Sequence, residues 1–107
     1  MAEYIKPSEL VTRLAGPTPP LVVDVRIGQI GQIPGAVHVP VLDLEDSPQD
    51  WDRDREIVVF CQFGKGASEY AAEVLEEQGF RHIYKLVGGM DGWNAYLSSL
   101  MKRGDGV

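Results

Sequence analysis

The chain has 107 residues, 16 acidic against 10 basic, and a formal charge of −6, which suits one domain with its own core and is too short for two enzymatic domains. Its Lys and Arg residues are scattered through an acidic background, which argues against nucleic acid or an anionic membrane surface as partner, and no apolar run is long enough to span a bilayer. One cysteine cannot form an internal disulfide, and Met1 to Leu10 has neither a basic nor an apolar leader region, so a cytoplasmic protein is expected.

Tyr4-Ile5 reads as a short edge strand. Pro7 suits the first turn of a helix through Leu14, with Leu10, Val11 and Leu14 inward, and Gly16-Pro17-Thr18-Pro19-Pro20 stops it. Leu21-Val22-Val23 reads as a buried strand that runs out into Asp24-Val25-Arg26. Ile27 to Gly35 carries three glycines, a proline and two glutamines and is read as loop. Ala36 to Val39 follows as a short strand closed by Pro40. Val41 to Leu44 does not separate helix from strand. Glu45 to Arg55 is a polar acidic connection, its charges solvated, with a single helical turn expected near Trp51.

Ile57-Val58-Val59-Phe60 is a four-residue apolar run of the kind a strand buried on both faces requires, and it ends at Cys61, the only cysteine. Apolar residues then recur at Ala67, Ala71, Val74 and Leu75 opposite Glu69, Glu73, Glu76 and Glu77, which predicts an amphipathic helix ended by Gly79. Phe80 to Val87 alternates as a further strand. Gly88-Gly89 turns into a helix over Met90 to Leu100, and residues 102–107 are expected to be frayed. Strands alternating with helices over short connections predict a single α/β domain spanning 1–107, with a mostly parallel central sheet and helices on both faces.

Open α/β sheets bind ligands beyond the carboxyl ends of their strands, and helix N-termini offer unpaired N–H groups to anions. Cys61 falls at such a junction. Gly64 and Gly66 let the loop curl so that successive N–H groups face one point, and Lys65 adds the loop's only cation, so a thiolate near neutral pH is expected; Glu69, one turn on, opposes it. A buried structural thiol is the competing reading of Cys61, and a solvated loop charge that of Lys65. Asp24 and Arg26 are expected to brace the loop by hydrogen bonds and an ion pair rather than to touch substrate. His38 lies inside a strand pattern and His82 at a strand's start, so neither is placed as a base for a cysteine hydrolase. One cysteine and two dispersed histidines give no metal-site spacing. Trp51 and Trp93 are read as core or cover.

Four segments in this order and spacing resemble the rhodanese, or sulfurtransferase, family: Val22-Val23-Asp24-Val25-Arg26, Ile33 to Pro40, Cys61 to Ser68, and Leu86 to Trp93. The resemblance implies a single-domain rhodanese with Cys61 carrying a persulfide. Gln62, Phe63, Gly64, Lys65, Gly66 and Ala67 would form the loop that binds an anionic donor, with Asp24, Arg26 and Ser68 supporting it. It implies a sulfane sulfur passed from a donor such as thiosulfate to cyanide, a thiol or a sulfur-accepting protein, with no metal or organic cofactor. A sulfur-carrier or docking module is the alternative. A cysteine phosphatase would need a longer loop ending in an arginine. The chain departs from the family pattern at Gln32, where a histidine is common, in a short 27–35 segment without the usual acidic partner for Arg26, and at Gly66, where larger side chains are common. The last point leads to the expectation of an ordinary backbone conformation at Gly66.

Overall fold

The structure is a computed structural model that describes residues 2–28 and 32–105. Five strands, β1 (Glu3–Ile5), β2 (Leu21–Asp24), β3 (Val37–His38), β4 (Glu56–Phe60) and β5 (His82–Leu86), form one sheet in the order β1-β5-β4-β2-β3. Every pairing is parallel, so the sheet is wholly rather than mostly parallel. Four helices, α1 (Pro7–Leu14), α2 (Val41–Asp46), α3 (Ala67–Glu77) and α4 (Gly89–Asp105), make the connections. None of the described helices is long and apolar enough to cross a membrane.

The central strand explains the two-sided core. Side chains alternate along a strand, so Ile57, Val59 and Cys61 join the α2 and α3 side with Leu44, Ala71, Leu75 and Phe80. Val58 and Phe60 join the α1 and α4 side with Leu10, Leu86, Met90 and Trp93. An unbroken apolar run is what two covered faces demand, and Ile57 to Phe60 are all fully buried. The Sγ of Cys61 is thereby assigned to the α3 face by strand periodicity alone.

Several local expectations change. Val41 to Asp46 is a helix that begins after Pro40 and buries Leu44 against α3. No helical turn forms near Trp51. Arg53 instead donates to the carbonyls of Gln49, Trp51 and Gln78 and stacks over Phe80 at 4.2 Å. These tertiary bonds satisfy acceptors that an isolated turn would have paired internally, so this connection is not simply a solvated charge run. β5 begins at His82 rather than Phe80, because Phe80 is drawn into the core by the α3 C-terminus, where its N–H reaches the Leu75 carbonyl at 3.1 Å. α4 continues to Asp105 instead of stopping at Leu100. Residues 29–31 of the expected 27–35 loop lie outside the described residues.

Leu75 is fully buried in the cluster beneath Cys61. Leu75→Ala is expected to lower stability by about 2–5 kcal/mol through lost burial and the cavity left behind, measured as a fall in the urea midpoint at unchanged slope.

Candidate active site

Three chain segments meet at the carboxyl edge of the sheet: the residues after β2, the Cys61–Gly66 loop after β4, and the start of α4. The loop is tied to α4 by its backbone. Met90 N–H donates to the Cys61 carbonyl at 2.8 Å and Asp91 N–H to the Gln62 carbonyl at 3.0 Å, so two free donors of the helix N-terminus are satisfied by the loop they support. The contact is close enough to require glycine. A Cβ on Gly89 would lie 2.2 Å from the Cys61 carbonyl oxygen, and Gly89 also holds φ at +58°. Gln62 extends the tie by donating from Nε2 to Asp91 at 3.0 Å.

Arg26 braces the other side. Its Nε and Nη2 grip Asp24 at 2.9 and 2.7 Å, and its Nη1 donates to Gln62 Oε1 at 2.8 Å. Asp24 is fully buried and Arg26 nearly so, and hydrogen bonding to Asp24 raises the guanidinium pKa still further. The acidic partner of Arg26 is thus supplied from two residues upstream, not from the 27–35 loop. His38 donates from Nε2 to the Arg26 carbonyl, 2.6 Å away, and His82 is exposed at the start of β5.

The Sγ of Cys61 is buried beside the start of α3. It lies 3.3 Å from Ser68 Oγ, and as a thiol it donates to the Lys65 carbonyl at 3.0 Å. Burial pushes the thiol pKa up. The Ser68 hydroxyl and the N–H groups of Ser68, Gly64 and Lys65 act against burial and outweigh it, leaving the pKa below its ordinary value. The N–H groups do not all converge, however. Gly66 donates its N–H to Glu69 Oε1 at 3.1 Å, so the Lys65–Gly66 peptide turns its carbonyl, not its N–H, towards sulfur. Gly66 also holds φ +65° and ψ −94°, which overturns the expectation of an ordinary backbone there.

A cavity of about 300 Å³ opens over Cys61, lined by Val25, Arg26, Ile27, Val41, Gln62, Phe63, Lys65 and Ala67. Gln62, Phe63, Lys65 and Ala67 therefore come together with Cys61 as expected from their place on one loop. Ser68 lies beneath the sulfur. Two features go beyond these expectations. Arg26 lines the cavity as well as bracing the loop, so the cavity has a second cation beside Lys65, which stays the loop's only one. Val25, Ile27 and Val41, none singled out in the sequence, form its apolar wall. Of these Val41 was hidden by the ambiguity of α2, while Val25 and Ile27 flank the Arg26 that the sequence did mark.

The chain belongs to the rhodanese-like domain family, whose pattern matches residues 6–96. It is 33% identical over 64 residues to the thiosulfate sulfurtransferase GlpE of Coxiella burnetii, an alignment covering 60% of this chain and 59% of that protein. It is 36% identical over 61 residues to the putative sulfur carrier protein YrkF of Bacillus subtilis, covering 57% of this chain and 32% of YrkF. The match therefore spans about three-fifths of the one relative and a third of the other. A crystal structure of a rhodanese-like domain protein from Staphylococcus aureus superposes with a TM-score of 0.76 at 28% identity, over 85% of this chain and 90% of that one.

Ser68→Ala removes the side-chain donor that lowers the Cys61 pKa. Because that pKa is depressed, the thiolate is present above it and lost as pH falls through it. The variant should move the midpoint of iodoacetamide alkylation to higher pH and slow the reaction severalfold near neutrality, as followed by mass spectrometry across a pH series.

Proposed function

We propose that the protein is a sulfurtransferase working by double displacement through Cys61. The observation that carries this reading is a cysteine of lowered pKa between strand and helix, facing a cavity with two cations. The Cys61 thiolate attacks the outer sulfur of a donor such as thiosulfate. A new S–S bond forms on Cys61, and the old S–S bond breaks with its electron pair leaving on sulfite. The resulting persulfide hands its terminal sulfur to a nucleophile such as cyanide or a thiol, and the Cys61 thiolate returns. Ser68 Oγ and the Gly64, Lys65 and Ser68 N–H groups stabilise the anionic sulfur at each stage. Arg26 and Lys65 draw the anionic donor into the cavity, and Asp24 keeps Arg26 in place. No redox cofactor or metal enters this balance. A chain whose one cysteine must stay reduced suits a reducing compartment, and the cytoplasm is our assignment.

A sulfur-carrier role for the same persulfide is favoured by one feature of the cavity mouth. Phe63 is 64% and Ile27 81% exposed, apolar surface that an acceptor protein could cover better than cyanide can. A phosphatase reading fits poorly, because the loop residue Gly66 offers no side chain to clamp a phosphate.

Cys61→Ser should abolish thiocyanate formation from thiosulfate and cyanide while leaving the thermal midpoint near that of the wild type, since a serine hydroxyl is not ionised near neutral pH. Wild-type protein incubated with thiosulfate should gain one sulfur on the Cys61 peptide. A wild-type chain that stays unmodified while a control rhodanese is loaded would overturn the proposal. Lys65→Ala should raise the KM for thiosulfate severalfold at low salt, with the difference shrinking as added salt screens the charge; equal kcat/KM at low salt would make Lys65 a bystander.

A further inference from the structure

The Lys65–Gly66 peptide is set against the chemistry proposed for its neighbour. Its carbonyl accepts from the Cys61 thiol at 3.0 Å, a favourable contact while the sulfur carries a proton. Once the sulfur is a thiolate or an anionic persulfide, the same oxygen confronts a negative charge with no hydrogen between them. The N–H that could serve the anion points away and is engaged by Glu69 Oε1 at 3.1 Å. This is one half of a capping box at the N-terminus of α3, and glycine at the cap position has no side chain to supply the other half.

Resting on the reading of Cys61 as an ionising nucleophile, we propose that Glu69 is a positioning residue. It holds the Lys65–Gly66 peptide in an orientation that favours the protonated thiol. When the sulfur becomes anionic the peptide turns over, and the Gly66 N–H leaves Glu69 to donate to sulfur. The backbone on either side allows such a movement. The Gly66 carbonyl belongs to the next peptide and stays bonded to Tyr70 N–H at 2.9 Å, so α3 keeps its first turn. Turning the peptide carries Gly66 from φ +65° to negative φ, and glycine crosses between the two without a Cβ penalty. A Cβ at Gly66 would meet nothing within 4 Å, so conformation rather than space decides what this position accepts.

The titratable and charged groups at this corner are Asp24 at the end of β2 and Arg26 just after it, Lys65 on the loop, Glu69 on α3, and Asp91 at the start of α4, which reaches the loop through Gln62; Tyr4 on β1 donates from its hydroxyl to the other Glu69 oxygen at 3.5 Å, Glu73 on α3 and Lys85 on β5 line a cavity with Glu69, and α2 contributes the apolar Val41. Glu69 could therefore act simply as a negative charge near sulfur, and the test has to separate charge from hydrogen bonding. Glu69→Gln keeps an oxygen that can accept from Gly66 but removes the charge. Glu69→Ala removes both. Gly66→Ala leaves Glu69 intact and disfavours the positive φ that the resting orientation needs.

The experiment is the pH profile of Cys61 alkylation by iodoacetamide in the full chain, which requires no sulfur donor. Glu69→Ala and Gly66→Ala should each react about tenfold faster than wild type near about pH 6, and Glu69→Gln should stay within about twofold of wild type. Equal acceleration in Glu69→Gln and Glu69→Ala would reduce Glu69 to a through-space charge and overturn the proposal, as would an unchanged Glu69→Ala or a slower Gly66→Ala of native thermal midpoint. Sulfur loading from thiosulfate, measured on the same samples, reports separately on the sulfurtransferase reading. A chain that shows the alkylation pattern yet takes up no sulfur would retain the peptide switch and lose the donor.

Discussion

The carboxyl edge of this domain depends on one backbone contact, the seating of the α4 N-terminus under the Cys61–Gln62 carbonyls. A helix N-terminus needs acceptors for its first N–H groups and a tight loop needs partners for its carbonyls. Here each supplies the other, at a separation that requires glycine on both sides, at Gly64 and at Gly89. Carbonyls that would otherwise face the cavity are thereby turned back into the protein, leaving N–H groups of Gly64, Lys65 and Ser68 on the side of the sulfur.

Around that contact the two charged side chains at the end of β2 and just beyond it act as a rigid brace. The Asp24–Arg26 pair is almost wholly buried, so removing either partner would strand a charge in a poorly solvated place. Asp24 holds the guanidinium through two nitrogens, while the third nitrogen fixes Gln62 and, through it, the loop. The same guanidinium lines the cavity, so one residue joins structural support to the positive field an anionic sulfur donor would meet. Lys65, exposed on the loop, has no comparable fixation among the described residues. Its proposed contribution is accordingly one of attraction and salt sensitivity rather than geometry.

The amino-acid sequence by itself determined the layers and the place of Cys61. The Ile57–Phe60 run required a strand covered on both faces, the spacing of Ala71, Val74 and Leu75 required an amphipathic helix, and the alternation of strands with helices made the sheet parallel. These are local periodicities of 2 and 3.6 residues, which survive in a single sequence because each reports which sides of one element are buried. The carboxyl-edge position of Cys61 followed from the order of strand, loop and helix, and the glycines around it announced a tightly curled loop but not the positive φ of Gly66. What only the tertiary structure decided concerns groups distant in sequence or peptide planes without a side chain to betray them. The helix at Val41–Asp46 is settled by packing of Leu44 on α3, and the loop near Trp51 by Arg53 reaching carbonyls as far away as Gln78. The wall of Val25, Ile27 and Val41 arises because the edge gathers residues from two connections. The direction of the Lys65–Gly66 peptide was invisible for a more basic reason: glycine accepts either sign of φ at little cost, so its conformation is set by the partner its N–H finds, and that partner, Glu69, is brought into reach only when α3 has formed.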